Sequence, residues 1–193
     1  MRNHLLPTLC VSVALLATAC GGSSKAASGT STTTVGSVTT TTGHVAHPAA
    51  ANPSVSAKMI CETEAQNDIY QSATGVKTVA AFKPTWIDHV YACDYVYPGG
   101  AVMRLSVKEV SSADETTAYF NSLATKLGKT KDIPNLAQGA FQVKDGSVVV
   151  RKDYKILLID VTKLPASFGV PAAVRGDVAI NVAETIMGCW SGQ

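Results

Sequence analysis

The sequence predicts an α+β domain, with an antiparallel sheet of about five strands and about three helices packed on one face, preceded by a signal peptide and a disordered tether. Three observations predict it. Apolar residues alternate through Val90–Val107 on either side of Pro98-Gly99-Gly100; a capped, helix-periodic segment lies between Ser112 and Gly128; and Asp145-Gly146 joins two further apolar runs.

The N-terminus reads as an export signal over residues 1–19. Arg2 supplies the positive start, Leu5 to Leu16 the apolar core, and Ala17, Thr18 and Ala19 the small residues of a cleavage region. The apolar run falls short of the ~20 residues a membrane helix requires. Cys20 directly follows the small residues, as in a lipobox, where the thiol takes a diacylglycerol before cleavage. Leu16 stands one place further out than the usual leucine, and Ala17 fills that position. Cys20 is the expected lipid attachment residue. Acyl chains at ~0.8 kcal/mol per buried CH₂ would then hold the protein at the extracytoplasmic face of the cell membrane without spanning it.

Residues 20–54 read as a disordered tether, because Ser, Thr, Gly, Ala and Pro dominate, Lys25 is the sole charge and no aromatic residue is present. Its roughly 35 residues average ~30–35 Å end to end and reach ~120 Å at most. Thr32–Thr34 and Thr39–Thr42 are compositional candidates for sugar attachment. Asn52-Pro53-Ser54 is not an N-glycosylation acceptor. His44 and His47 lie in this stretch without acidic or thiol neighbours and read as solvated side chains.

Residues 55–193 are one domain's worth of chain. All 14 acidic residues fall here, against 14 of the 16 basic ones, because Arg2 and Lys25 precede it. A near-neutral domain argues against nucleic acid as a partner. The first helix is expected over Lys58–Gln71, with a weak apolar stripe. Tyr91, Cys93, Tyr95 and Tyr97 then alternate with Val90, Ala92, Asp94 and Val96; after the Pro98-Gly99-Gly100 turn, Ala101, Met103, Leu105 and Val107 alternate with Val102, Arg104, Ser106 and Lys108. That is a hairpin with one wetter face.

Ser112-Ala113-Asp114-Glu115 is a capping box and Gly128 a helix stop, with Tyr119, Phe120, Leu123 and Leu127 forming a core stripe between them. Asp145-Gly146 predicts a tight hairpin that sets Val143 beside Val148 and Phe141 beside Val150. Lys152-Asp153 turns the chain into Tyr154–Val161, whose Ile156-Leu157-Leu158-Ile159 run suits a central strand covered on both sides. A last helix is expected over Asp177–Met187, ending at Gly188.

Of five cysteines, Cys10 leaves with the signal and Cys20 takes lipid. Cys61, Cys93 and Cys189 remain, enough for one disulfide and one thiol in an oxidising compartment. Cys61–Cys93 ties the first helix to the first long strand and is worth ~3–4 kcal/mol by loop entropy; Cys61–Cys189, joining first and last helices, is the alternative. Cys189-Trp190 reads as a small buried cysteine after a helix stop rather than a reactive thiol.

The catalytic inventory is thin. There is no Cys-x-x-Cys, no Gly-x-Ser-x-Gly elbow and no phosphate-cradling glycine loop. His89, the domain's only histidine, has Asp88 and Asp94 near it in sequence, but a zinc site needs further ligands whose spacing is missing. No metal and no cofactor are expected, and the chain reads as a non-enzyme.

The lipobox at Cys20, the Ser/Thr/Gly tether, Met59-Ile60-Cys61, Tyr91-Ala92-Cys93-Asp94-Tyr95, Leu136-Ala137-Gln138-Gly139-Ala140-Phe141 and Gly146-Ser147-Val148-Val149-Val150-Arg151 resemble the small lipoproteins of actinobacteria, of mycobacterial type. The resemblance covers most of the chain and implies a cysteine pair placed like Cys61 and Cys93, with Cys189 a departure. It lends no general biochemical role. The expectation is a membrane-anchored envelope lipoprotein whose domain is a non-enzymatic module binding an envelope protein or a cell-wall component. The alternatives are a carrier of lipid or glycolipid between membrane and wall and, third, a cell-wall hydrolase.

Overall fold

The computed structural model describes residues 50–190. The signal peptide, Cys10, Cys20, His44, His47, the threonine clusters and most of the tether lie outside the described residues. Among the described residues no helix is long and apolar enough to cross a membrane.

The described chain is α+β, built on a seven-stranded, fully antiparallel sheet. Its strands are β1 (Thr85–Ile87), β2 (Val90–Val96), β3 (Val102–Glu109), β4 (Lys129–Asp132), β5 (Gly139–Val143), β6 (Val148–Lys152) and β7 (Lys155–Asp160), in the spatial order β1-β2-β3-β7-β6-β5-β4. A separate two-stranded ribbon pairs β8 (Ser167–Phe168) with β9 (Ala173–Val174). Four α-helices accompany the strands: α1 (Val55–Lys58), α2 (Thr63–Ile69), α3 (Ala113–Leu127) and α4 (Arg175–Cys189).

The sheet is thus wider than the five strands expected. β1 has three residues and β4 is Lys-Thr-Lys-Asp, exposed throughout, so neither shows the alternation that identifies a half-buried strand. Both are edges, and short or lysine-bearing edges discourage pairing with other chains.

The helices also pack on both faces rather than one. Cys93, Tyr95, Tyr97, Met103, Leu105, Val107, Val148, Val150, Leu157 and Ile159 meet Ala57, Ile60, Ala65 and Ile69 of the N-terminal helices and Val178, Val182 and Ile186 of α4. On the opposite face Phe141, Val143, Val149 and Ile156 meet Tyr119, Phe120, Leu123 and Leu127 of α3, with the Phe120 and Phe141 rings 4.9 Å apart, edge to face. The central strand β7, between β3 and β6, therefore sends alternate residues into two cores, which is why its sequence is apolar without a break. Arg104 and Asp94, 2.8 Å apart and about half exposed, mark the wetter face of the β2–β3 hairpin.

The hairpin at Asp145-Gly146 has a different register from the one expected. Gln142 pairs with Val148, Phe141 with Val149 and Ala140 with Val150. The loop holds three residues, Lys144, Asp145 and Gly146, with Gly146 at φ 96° and Val143 N–H bonded to the Ser147 carbonyl. A three-residue loop with glycine in the left-handed region is the alternative to the two-residue turn, and a one-residue slip exchanges the faces. Phe141 consequently faces α3, while Val148 and Val150 face α4.

The capping of α3 is as expected, with Ser112 Oγ accepting from Glu115 N–H at 3.1 Å; the Glu115 carboxylate reaches Ser111 N–H at 2.8 Å. The last helix is longer than expected at both ends and runs through Gly188 to Cys189. At its start Arg175 donates to the carbonyls of Asp145 and Leu164. The first helix is broken into α1, a 3₁₀ turn over Met59–Cys61, α2 and a single π-helical turn over Tyr70–Thr74. Cys61 and Cys93 lie at disulfide distance, Cα to Cα 6.0 Å, and beside them the Tyr95 hydroxyl donates to the Ile60 carbonyl at 2.6 Å, so this broken segment is tied to β2 twice.

Candidate functional site

The π turn borders a surface cleft. α-Helices widen into π turns rarely, and frequently at functional sites. Here Gly75 N–H donates to the Tyr70 carbonyl at 2.8 Å, and Gly75 takes a left-handed conformation (φ 60°) that ends the helix. The Thr74 side chain, buried beneath, accepts from Val76 N–H and reaches the carbonyls of Ile69 and Val76. Val170 N–H donates to the Thr74 carbonyl at 2.8 Å, and a Cβ on Gly75 would stand 2.1 Å from the Val170 carbonyl oxygen. The turn is therefore locked from both sides.

After this stop the chain doubles back, and residues 75–79 run beside α2. Val79 N–H donates to the Val96 carbonyl at 2.8 Å, and the Gln66 carboxamide bonds to the Thr78 hydroxyl. Between the two segments lies a cleft of about 150 Å³, lined by Gln66, Asn67, Tyr70, Lys77 and Thr78. The Lys77 ammonium rests over the Tyr70 ring, 5.2 Å from its centroid. At an exposed site such a contact is worth roughly 0.5–1 kcal/mol, little enough for a ligand to displace. The cleft is smaller than the ~300–1,000 Å³ typical of whole-ligand pockets, so it suits one ring or end group of a larger molecule.

The residues singled out by sequence lie elsewhere. Cys61 and Cys93 are buried in the core. Cys189 stands apart from them, its Sγ 3.6 Å from Asp68 Oδ2. His89 has a left-handed backbone (φ 57°) and meets the Trp86 ring edge-on at 5.7 Å, while Asp94 faces Arg104, so the histidine and this acid are not brought together. Among the described residues no group of three His, Cys, Asp or Glu side chains is arranged to hold a metal ion. Burial holds the phenols of Tyr95 and Tyr97 far above the usual tyrosine range, with Tyr97 adding to the rise at Tyr95 and the nearby Thr74 side chain opposing it at Tyr97. Tyr91 is raised too, by burial and then by the Glu62 charge. Comparison of the chain with protein-family models, curated proteins and solved structures finds no match.

None of the five cleft residues stood out in the sequence. Gln66, Asn67 and Tyr70 are ordinary polar positions of a weakly amphipathic helix, and Lys77-Thr78 belong to an unpatterned loop. The signal that could have marked the turn is Gly75, a residue type that favours the left-handed conformation in which a helix ends.

Proposed function

We propose that the chain is a cell-envelope lipoprotein, anchored through lipid on Cys20 at the extracytoplasmic face of the membrane, whose domain is a non-enzymatic module binding an envelope protein or cell-wall component. The observation that carries the binding role is the cleft beside the locked π turn, where polar side chains converge on a rigid backbone. Export is supported by the Leu16–Gly21 segment and by Cys61 and Cys93 at disulfide distance, since such pairs persist in oxidising compartments.

Transport of a lipid in an internal cavity finds less support. The layer between the sheet and α4 is occupied by side chains at 0–1% exposure, among them Tyr95, Tyr97, Met103, Leu157 and Ile186. A photoreactive residue at the exposed Gln71, used in living cells, tests the module reading. Capture of a defined envelope component is the expected result, and no adduct in the envelope fraction would overturn it.

A further inference from the structure

We infer that the Gln66–Thr78 cleft is a saccharide subsite that seats one pyranose ring of an envelope glycan on Tyr70. The inference deepens the binding-module reading and rests on it. Size favours a single ring: about 150 Å³ is roughly the space that admits a six-membered one. A long acyl chain does not fit such a volume.

Chemistry favours a sugar. The carboxamides of Gln66 and Asn67 and the hydroxyl of Thr78 all both donate and accept. Neighbouring sugar hydroxyls have the same dual character. A phosphate or carboxylate only accepts, so it would use the donors of these groups and the cation of Lys77 and leave their acceptor oxygens unmatched. A half-buried aromatic ring in the same wall offers its negative face to the C–H face of a sugar. Lys77, itself exposed, swings from the ring to donate to a sugar oxygen when the ring is occupied.

The walls are also preorganised. Gln66, Asn67 and Tyr70 fall within one helical turn and a half at the point where α2 opens into the π turn, and Thr78 is fixed by its bond to Gln66. The backbone beneath is held by Thr74 and Val170. Little ordering remains to oppose binding.

The test is saturation-transfer NMR of the exported full chain in detergent, with three probes: N,N′-diacetylchitobiose, a hexose trisaccharide and a pentose trisaccharide. The expected result is transfer to the C–H protons of one ring in at least one probe. Tyr70→Ala should weaken that binding tenfold or more and Asn67→Ala at least threefold, whereas Tyr70→Phe should stay within threefold. Lys126→Gln, on α3, should leave it unchanged. No transfer to any probe, or transfer that survives both Tyr70→Ala and Asn67→Ala, overturns the inference. If the sugars fail while Gln71 captures an envelope protein in cells, the subsite falls and the binding module stands; if both fail, both fall.

Discussion

Gly75→Ala places a methyl group against the backbone carbonyl of Val170. The new Cβ would lie 2.1 Å from the Val170 oxygen and 3.0 Å from its carbon, and the residue must keep φ near 60°. The left-handed backbone alone costs a non-glycine residue ~1–2 kcal/mol. Overpacking adds ~1–3 kcal/mol, and the upper part applies because the obstacle is main chain. A loss of about 3–4 kcal/mol is expected from these two costs together. For the about 140 described residues, unfolding entropy near 2.1 cal/mol/K per residue makes each kcal/mol worth ~3–4 °C, so the midpoint should fall by roughly 10–13 °C. Gly99→Ala isolates the clash: Gly99 has φ 76°, but a Cβ added there meets no atom within 4 Å. Only the conformational cost remains, and a fall of ~3–7 °C. Thermal unfolding followed by circular dichroism of both variants decides it. Midpoints within about 2 °C of each other would refute the claim that Val170 locks the π turn.

Two further predictions concern the core. Reduction, or the double variant Cys61→Ala/Cys93→Ala, opens a link between residues 32 apart and should cost about 3.5–4 kcal/mol, read as a midpoint roughly 12 °C lower; Cys189→Ser should preserve the response to reductant. Equal stability in oxidising and reducing buffer would contradict this. Tyr95 and Tyr97 have folded pKa values above their unfolded ones, so the stability they contribute is fully present below about pH 10 and is lost as pH rises beyond it. In an absorbance titration, two of the six tyrosines should therefore ionise only as the protein unfolds, and six phenols titrating together in the native protein would count against their burial.

Much of the fold was legible where a single periodicity dominates. The β2–β3 hairpin and α3 each show one period and a turn or cap residue at the boundary, and the unbroken Ile156–Ile159 run identified the doubly covered strand. Legibility failed where tertiary context overrides local pattern. β4 is a strand because β5 offers it hydrogen bonds, though its side chains are all exposed. At Asp145-Gly146 both faces are buried, so apolar residues on either side fit two registers, and the loop geometry chose between them. The break of the first helix into α, 3₁₀ and π pieces follows from the tie between Cys61 and Cys93, the Tyr95 hydroxyl and the Gly75–Val170 contact, none of them local. The cleft was hidden for the same reason, since its two walls meet only through that folding.

The anchored-module proposal is tested most directly by mass spectrometry of the N-terminal peptide from protein recovered from the membranes of an actinobacterial host. A peptide that begins at Cys20 and carries a diacylglycerol is the predicted result, with both the lipid and membrane retention lost in Cys20→Ala. A chain that still begins at Met1, or one whose Cys20 is unmodified while the protein is released to the medium, would contradict it.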